Sequence, residues 1–182
     1  MRITEYTSLR KYINISKLWK SEPDIKFPLL FTFRHGLIRF SFPETIWHIP
    51  FETFIITQKY TYDLSAAILL FQKISKNKTS VIETLPIKYM LPLWKHYIQE
   101  FREIEAKIQE QSELATKSLS PKYDMKEFGL TSLSLFIAGG DRRTASEFIE
   151  KQSVAYVVVE YRREIKTIEN ILEENKKSQK NN

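Results

Sequence analysis

The chain has 182 residues, 42% of them apolar and 13% aromatic, with a formal net charge of +6. This length supports one domain, or one domain with an appendage, with a core that needs neither disulfides nor a metal, and the apolar fraction is that of a folded protein. The sequence contains no cysteine, which removes disulfides, thiolate zinc sites, iron–sulfur clusters and cysteine nucleophiles together and fits a reducing compartment.

The charge is uneven. Residues 1–40 hold eight Lys/Arg against three Asp/Glu, and the remaining residues hold 20 against 19. A general nucleic-acid binder shows a denser basic stripe, so the excess reads first as a solvated N-terminal segment. The longest apolar runs, Ala66 to Phe71 and Val154 to Val159, fall far short of the ~18 residues that a membrane span requires. Met1 to Lys20 carries charge throughout and lacks the apolar centre of a secretory signal. A soluble, cytoplasmic chain with no membrane partner is expected.

Residues 1–60 form a first section, rich in proline and aromatics. Leu29 to Phe33 and Leu37 to Phe42 flank Arg34-His35-Gly36, and Phe31, Phe33, Ile38, Phe40 and Phe42 fall two apart within each run. That period predicts a β-hairpin turning at Gly36, bounded by Pro28 and Pro43. An isolated hairpin is marginal, so it must lie on something. Ile49 to Phe54 suits either a short helix or a third strand.

Residues 61–118 form a second section. Asp63 is placed to cap a helix over Leu64 to Ile74, whose apolar face is Ala66, Ala67, Leu70, Phe71 and Ile74. Lys76 to Ser80 reads as a polar loop. A long helix is expected from Leu93 to about Ser118, with Pro92 in its first turn. Its seam is Trp94, Tyr97, Phe101, Ile104 and Ile108, in heptad-like spacing.

Leu119-Ser120-Pro121-Lys122 breaks the chain, and residues 119–174 form a third section. Phe128 to Ile137 reads as a short apolar helix. Gly139 and Gly140 stop it, and Asp141 caps the next helix, Thr144 to Gln152. A second long seam follows at Val154, Val158, Tyr161, Ile165, Ile168 and Leu172. Residues 175–182 read as a frayed, disordered tail. The fold class expected is mostly α, a helical domain with two long helices and a small N-terminal β-hairpin. The two seams either pack within the chain or meet a partner; Trp94, Tyr97, Phe101, Tyr161 and Ile165 are the partner-binding candidates.

No catalytic, cofactor-binding or metal-binding residues are assigned. His35, His48 and His96 lack metal-ligand spacing, and four glycines leave little room for a phosphate loop. Carboxylates sit mainly beside Lys and Arg at helical spacing, as in Glu103 and Lys107. An enzyme is not expected, and no cofactor is called for. Thr144 to Arg163 has the outline of a helix-turn-helix, yet its second helix opens Val-Ala-Tyr-Val-Val-Val and offers almost no donor for a base edge. Arg162 and Arg163 come two turns later and suit phosphates only. Nucleic acid is therefore disfavoured against a protein partner.

The run Phe128-Gly129-Leu130-Thr131-Ser132-Leu133-Ser134-Leu135-Phe136-Ile137-Ala138-Gly139-Gly140-Asp141, followed by a short helix, Ser153-Val154 and a long helix with Glu160-Tyr161, resembles the tail-assembly chaperones of tailed bacteriophages, including those that serve baseplates. It covers about Phe128 to Ile165, and the first section has no counterpart in it. The resemblance implies a small helical protein in the cytoplasm of a bacterial host. It implies that the chain shields an aggregation-prone tail component such as the tape-measure protein. It further implies scarcity in the finished particle. A homo-oligomer would follow if one seam met a second copy of the chain. Two alternatives stand beside it: a structural virion component such as a tail or connector adaptor, and a small DNA-binding protein of a phage or mobile element.

Overall fold

The computed structural model describes residues 4–16, 26–58, 63–118 and 130–180. The chain is mostly α-helical, with one two-stranded antiparallel hairpin. It divides into two compact units, Met1–Ile49 with Ile56–Arg102, and Pro50–Ile55 with Glu103–Asn182. Two of the three borders, 55/56 and 102/103, fall inside helices, and none falls at 60 or 118, where the composition shifts. Packing, not linker chemistry, sets them.

The first unit opens with helix α1, Leu9–Ser16, which the sequence reading does not anticipate. Its apolar face includes Leu9, Tyr12 and Ile13, all buried. Three residues at i, i+3 and i+4 are too few to stand out from the surrounding aromatics. What holds α1 is tertiary. Leu9 N–H donates to the Leu85 carbonyl at 2.8 Å, and Ile87 N–H donates to the Thr7 carbonyl at 2.9 Å. Tyr12 joins Ile87 and Leu91 in a buried cluster, with Phe27 and Trp94 packed against it.

Strands β1, Thr32–His35, and β2, Ile38–Ser41, pair with Phe33 opposite Phe40 and Arg34 opposite Arg39. The turn residue Gly36 has φ 59°, and glycine first in a two-residue turn matches the type II′ geometry that suits strand twist. Phe33, Phe40 and Phe42 are buried as the alternation requires, whereas Ile38, at the tip, is 47% exposed. Phe33 stacks on Tyr89 at 4.1 Å between ring centroids, and Phe42 meets Phe71 edge-on at 5.7 Å. These contacts supply the support that a lone hairpin lacks.

Of the two readings for Ile49 to Phe54, the helix is the one formed: α2 covers Phe51–Gln58. Helix α3, Leu64–Ser75, buries Ala67, Leu70 and Phe71. The expected loop over Lys76 to Ser80 is shorter, because Thr79–Thr84 forms α4. Lys76 turns the chain with φ 57°. Helices α1, α3 and α4 pack on one another.

Helix α5 spans Ile87–Ser118, six residues longer at its start than the sequence suggests. Pro92 therefore lies inside it, not in its first turn. A proline there removes one backbone donor and disfavours the helix. Complete burial of Ile87, Met90 and Leu93 offsets that loss, and Pro86 stands just before the first turn.

In the second unit, α6 covers Thr131–Ile137, α7 Arg142–Lys151 and α8 Val154–Lys180. Helix α6 packs on both α7 and α8. The break at Leu119 to Lys122, and Phe128 and Gly129 of the expected apolar helix, lie outside the described residues. Helix α8 continues to Lys180, past 174 where the sequence reading stops it. Residues 173–179 are all exposed. With no proline or glycine, this lysine- and glutamine-containing stretch extends the helix by propensity rather than by packing.

Candidate partner-binding surface

The seam residues come first. On α5, Tyr97 and Phe101 are fully buried, Ile104 and Ile108 are buried, and Trp94 is half-buried. The Tyr97 hydroxyl donates to the Pro43 carbonyl at 2.7 Å. Burial, followed by the charge of Glu100, pushes this phenol far above its ordinary range. His96, the preceding residue, holds Nε2 2.9 Å from the Glu44 carbonyl, and Glu100, one turn on, accepts the Ile46 N–H at 2.9 Å through Oε2. Three polar groups of α5, His96, Tyr97 and Glu100, thus strap residues 43–46 by their backbone. The 3-10 turn Ile46–His48 follows, its start capped by Thr45, whose hydroxyl accepts the Trp47 N–H.

On α8, Tyr161 and Ile165 are buried too. Tyr161 meets Phe136 edge-on at 5.3 Å, an arrangement that aromatic quadrupoles favour. These five are the partner-binding candidates of the sequence. Four are core and the fifth, Trp94, is packed against the Tyr12 cluster, so the heptad spacing records internal packing. A heptad stripe looks the same whether its cover is in the same chain or another.

Between α6 and α7 the chain turns on Gly139, φ 59°, and Gly140, φ 92°. Gly140 N–H donates to the Leu135 carbonyl at 2.9 Å, which closes the end of α6. Asp141 then accepts N–H bonds from Arg143 and Thr144 and a 2.6 Å hydroxyl bond from Thr144. These bonds, the Thr144 hydroxyl foremost, hold its carboxyl below the usual range. The three residues are a helix stop and cap. The Gln152–Ser153 turn of the helix-turn-helix outline is engaged as well: Phe51 N–H donates to the Gln152 carbonyl at 2.9 Å, and Pro50 bridges Ser153.

What the seam leaves outside is more informative. Val154, Val157 and Val158 turn inward, but Tyr156 is 42% and Val159 62% exposed. Phe148, half-buried on α7, stacks on Tyr156 at 6.1 Å. Together they form an apolar patch beside the exposed pair Arg162 and Arg163, the latter held by Glu160 at 3.7 Å. The sequence held a signal for it: six residues, Val154 to Val159, are apolar on every face of the helix. A buried stripe can take only half of them. Among the described residues no group of three or more His, Asp or Glu gathers as a metal site, and no helix is long and apolar enough to cross a membrane.

The chain matches no protein-family model, no curated protein and no solved structure.

Proposed function

We propose that this chain is an assembly chaperone for a tail or baseplate protein of a tailed bacteriophage, acting in the cytoplasm of the host. The observation that carries a protein-binding role is the exposed patch of Phe148, Tyr156 and Val159. Apolar side chains grouped this way on a charged helical body suit an amphipathic helix of a partner laid across them. The finer assignment to phage tails rests on the resemblance over Phe128 to Ile165. The patch replaces the two seams as the proposed contact, because the seams are used up inside the chain.

The test is co-expression with a long helical tail protein of the tape-measure type. The expected result is that the partner stays soluble with the parent chain and precipitates with Tyr156→Glu/Val159→Glu, while that variant keeps its own helical circular dichroism. A partner that is equally soluble with both forms would overturn the assignment of the patch. Stoichiometric presence in purified virions would favour a structural component instead.

A further inference from the structure

We propose that the β1–β2 hairpin is a wedge for an anionic lipid surface, with Leu37 entering the bilayer interface and Arg34 and Arg39 bound to lipid phosphates. This concerns the first unit only and does not depend on the proposed function.

Four observations converge on the hairpin. First, Arg34 and Arg39 are direct cross-strand partners on the outward face, and like charges in that position repel. Neither forms an ion pair with any described residue, although surface cations elsewhere in the fold do, such as Arg10 with Glu83 and Lys151 with Glu147. Second, no Asp or Glu occurs from Lys26 to Pro43, so nothing within the segment neutralises the pair. Third, Leu37 at the tip is fully exposed and Ile38 beside it is 47% exposed. Fourth, the donors continue down the same face, where the Thr32 and Ser41 hydroxyls lie 3.5 Å apart.

The unbound hairpin therefore holds two unfavourable features side by side, a repelling cation pair and a bare aliphatic tip. One occupant relieves both if it is anionic and apolar at once. At about 3.3 Å per strand residue, the arginines stand roughly 7 Å behind Leu37. That falls within the ~5–10 Å depth to which interfacial segments bury their apolar side chains at the headgroup/acyl boundary. Nucleic acid would use the arginines but leave the leucine in water, and single strands favour aromatic platforms, whereas the exposed apolar side chains here are aliphatic. A protein partner needs ~800 Å² on each side, far more than a turn provides. The expectation of no membrane partner rested on the lack of a spanning segment, and a surface wedge needs none.

The full chain is mixed at physiological salt with vesicles of phosphatidylcholine alone, or with roughly a third phosphatidylglycerol, and separated by flotation. Binding to the acidic vesicles only is expected. Arg34→Gln/Arg39→Gln should weaken it about 25-fold, near five-fold per cation, with a thermal melt unchanged or slightly raised as the repulsion is removed, and Leu37→Ser several-fold with an unchanged melt. In Leu37→Trp the new indole should shift its emission to the blue with acidic vesicles and not with neutral ones. Absence of binding to acidic vesicles, or binding that both variants retain, would overturn the proposal. So would duplex DNA binding that the arginine variant abolishes and vesicles do not compete.

Discussion

Tyr97 on α5 donates its hydroxyl to the Pro43 carbonyl at 2.7 Å, joining residues 54 positions apart, while Glu100, one turn on, accepts the Ile46 N–H. The core helix is therefore also the clamp for the segment that leaves the hairpin. Removing the hydroxyl in Tyr97→Phe leaves a carbonyl without its partner, and a buried orphan of that kind costs about 1–3 kcal/mol. A lower urea midpoint with an unchanged slope is expected. Glu100→Gln keeps an acceptor oxygen and should lose less.

The same phenol gives an alkaline signature. Its folded pKa is raised above the ordinary value of 10.0. The unfolded chain therefore releases a proton that the fold retains, so this stability is fully present below pH 10 and declines as the pH rises above it. Denaturant titrations at increasing pH should show a steeper alkaline decline for the parent than for Tyr97→Phe. Parallel curves would mean that Tyr97 ionises as easily in the fold as outside it.

Asp141 works in the opposite direction. Its carboxyl is held low by the Thr144 hydroxyl and by backbone N–H groups, so the cap contributes above the ordinary carboxylate pKa and is lost as the pH falls through the folded value. Asp141→Ala should destabilise at neutral pH. Asp141→Asn should keep part of the cap, since its single amide oxygen still accepts a backbone N–H, and should remove its acid dependence. Thermal melts at neutral and acidic pH separate the two.

Gly139 has φ 59° with no atom within 4 Å of where a Cβ would sit. Gly139→Val therefore meets only backbone strain, about 1–2 kcal/mol. The same change without loss of stability would remove the left-handed helix stop.

Position on α8 should separate core from surface. Tyr161→Glu and Ile165→Glu bury an unpaired charge and should unfold the second unit. Val159→Glu, on the same helix, should change stability by less than about 0.5 kcal/mol. Nearby, the Ser134 hydroxyl is buried with no partner among the described residues, so Ser134→Ala should be neutral or stabilising.

The sequence by itself determined the helical class, the hairpin turning at Gly36, the two long seams and the stop at Gly139-Gly140-Asp141. Each rests on a local period or on one residue's conformational preference, and such signals need no knowledge of the rest of the chain. Only the tertiary structure decided that Tyr97, Phe101, Tyr161 and Ile165 are core, that α1 forms at all, that α5 runs through Pro92, and that Tyr156 and Val159 remain outside. A stripe specifies that it must be covered but not by what. Neither a three-residue apolar face nor a proline's position shows how much burial will be gained from residues far away in the chain. The arginines at 34 and 39 make the same point. Their charges are plain in the sequence, but their opposition across the hairpin depends on register, and that register was set by where the phenylalanines found their cover.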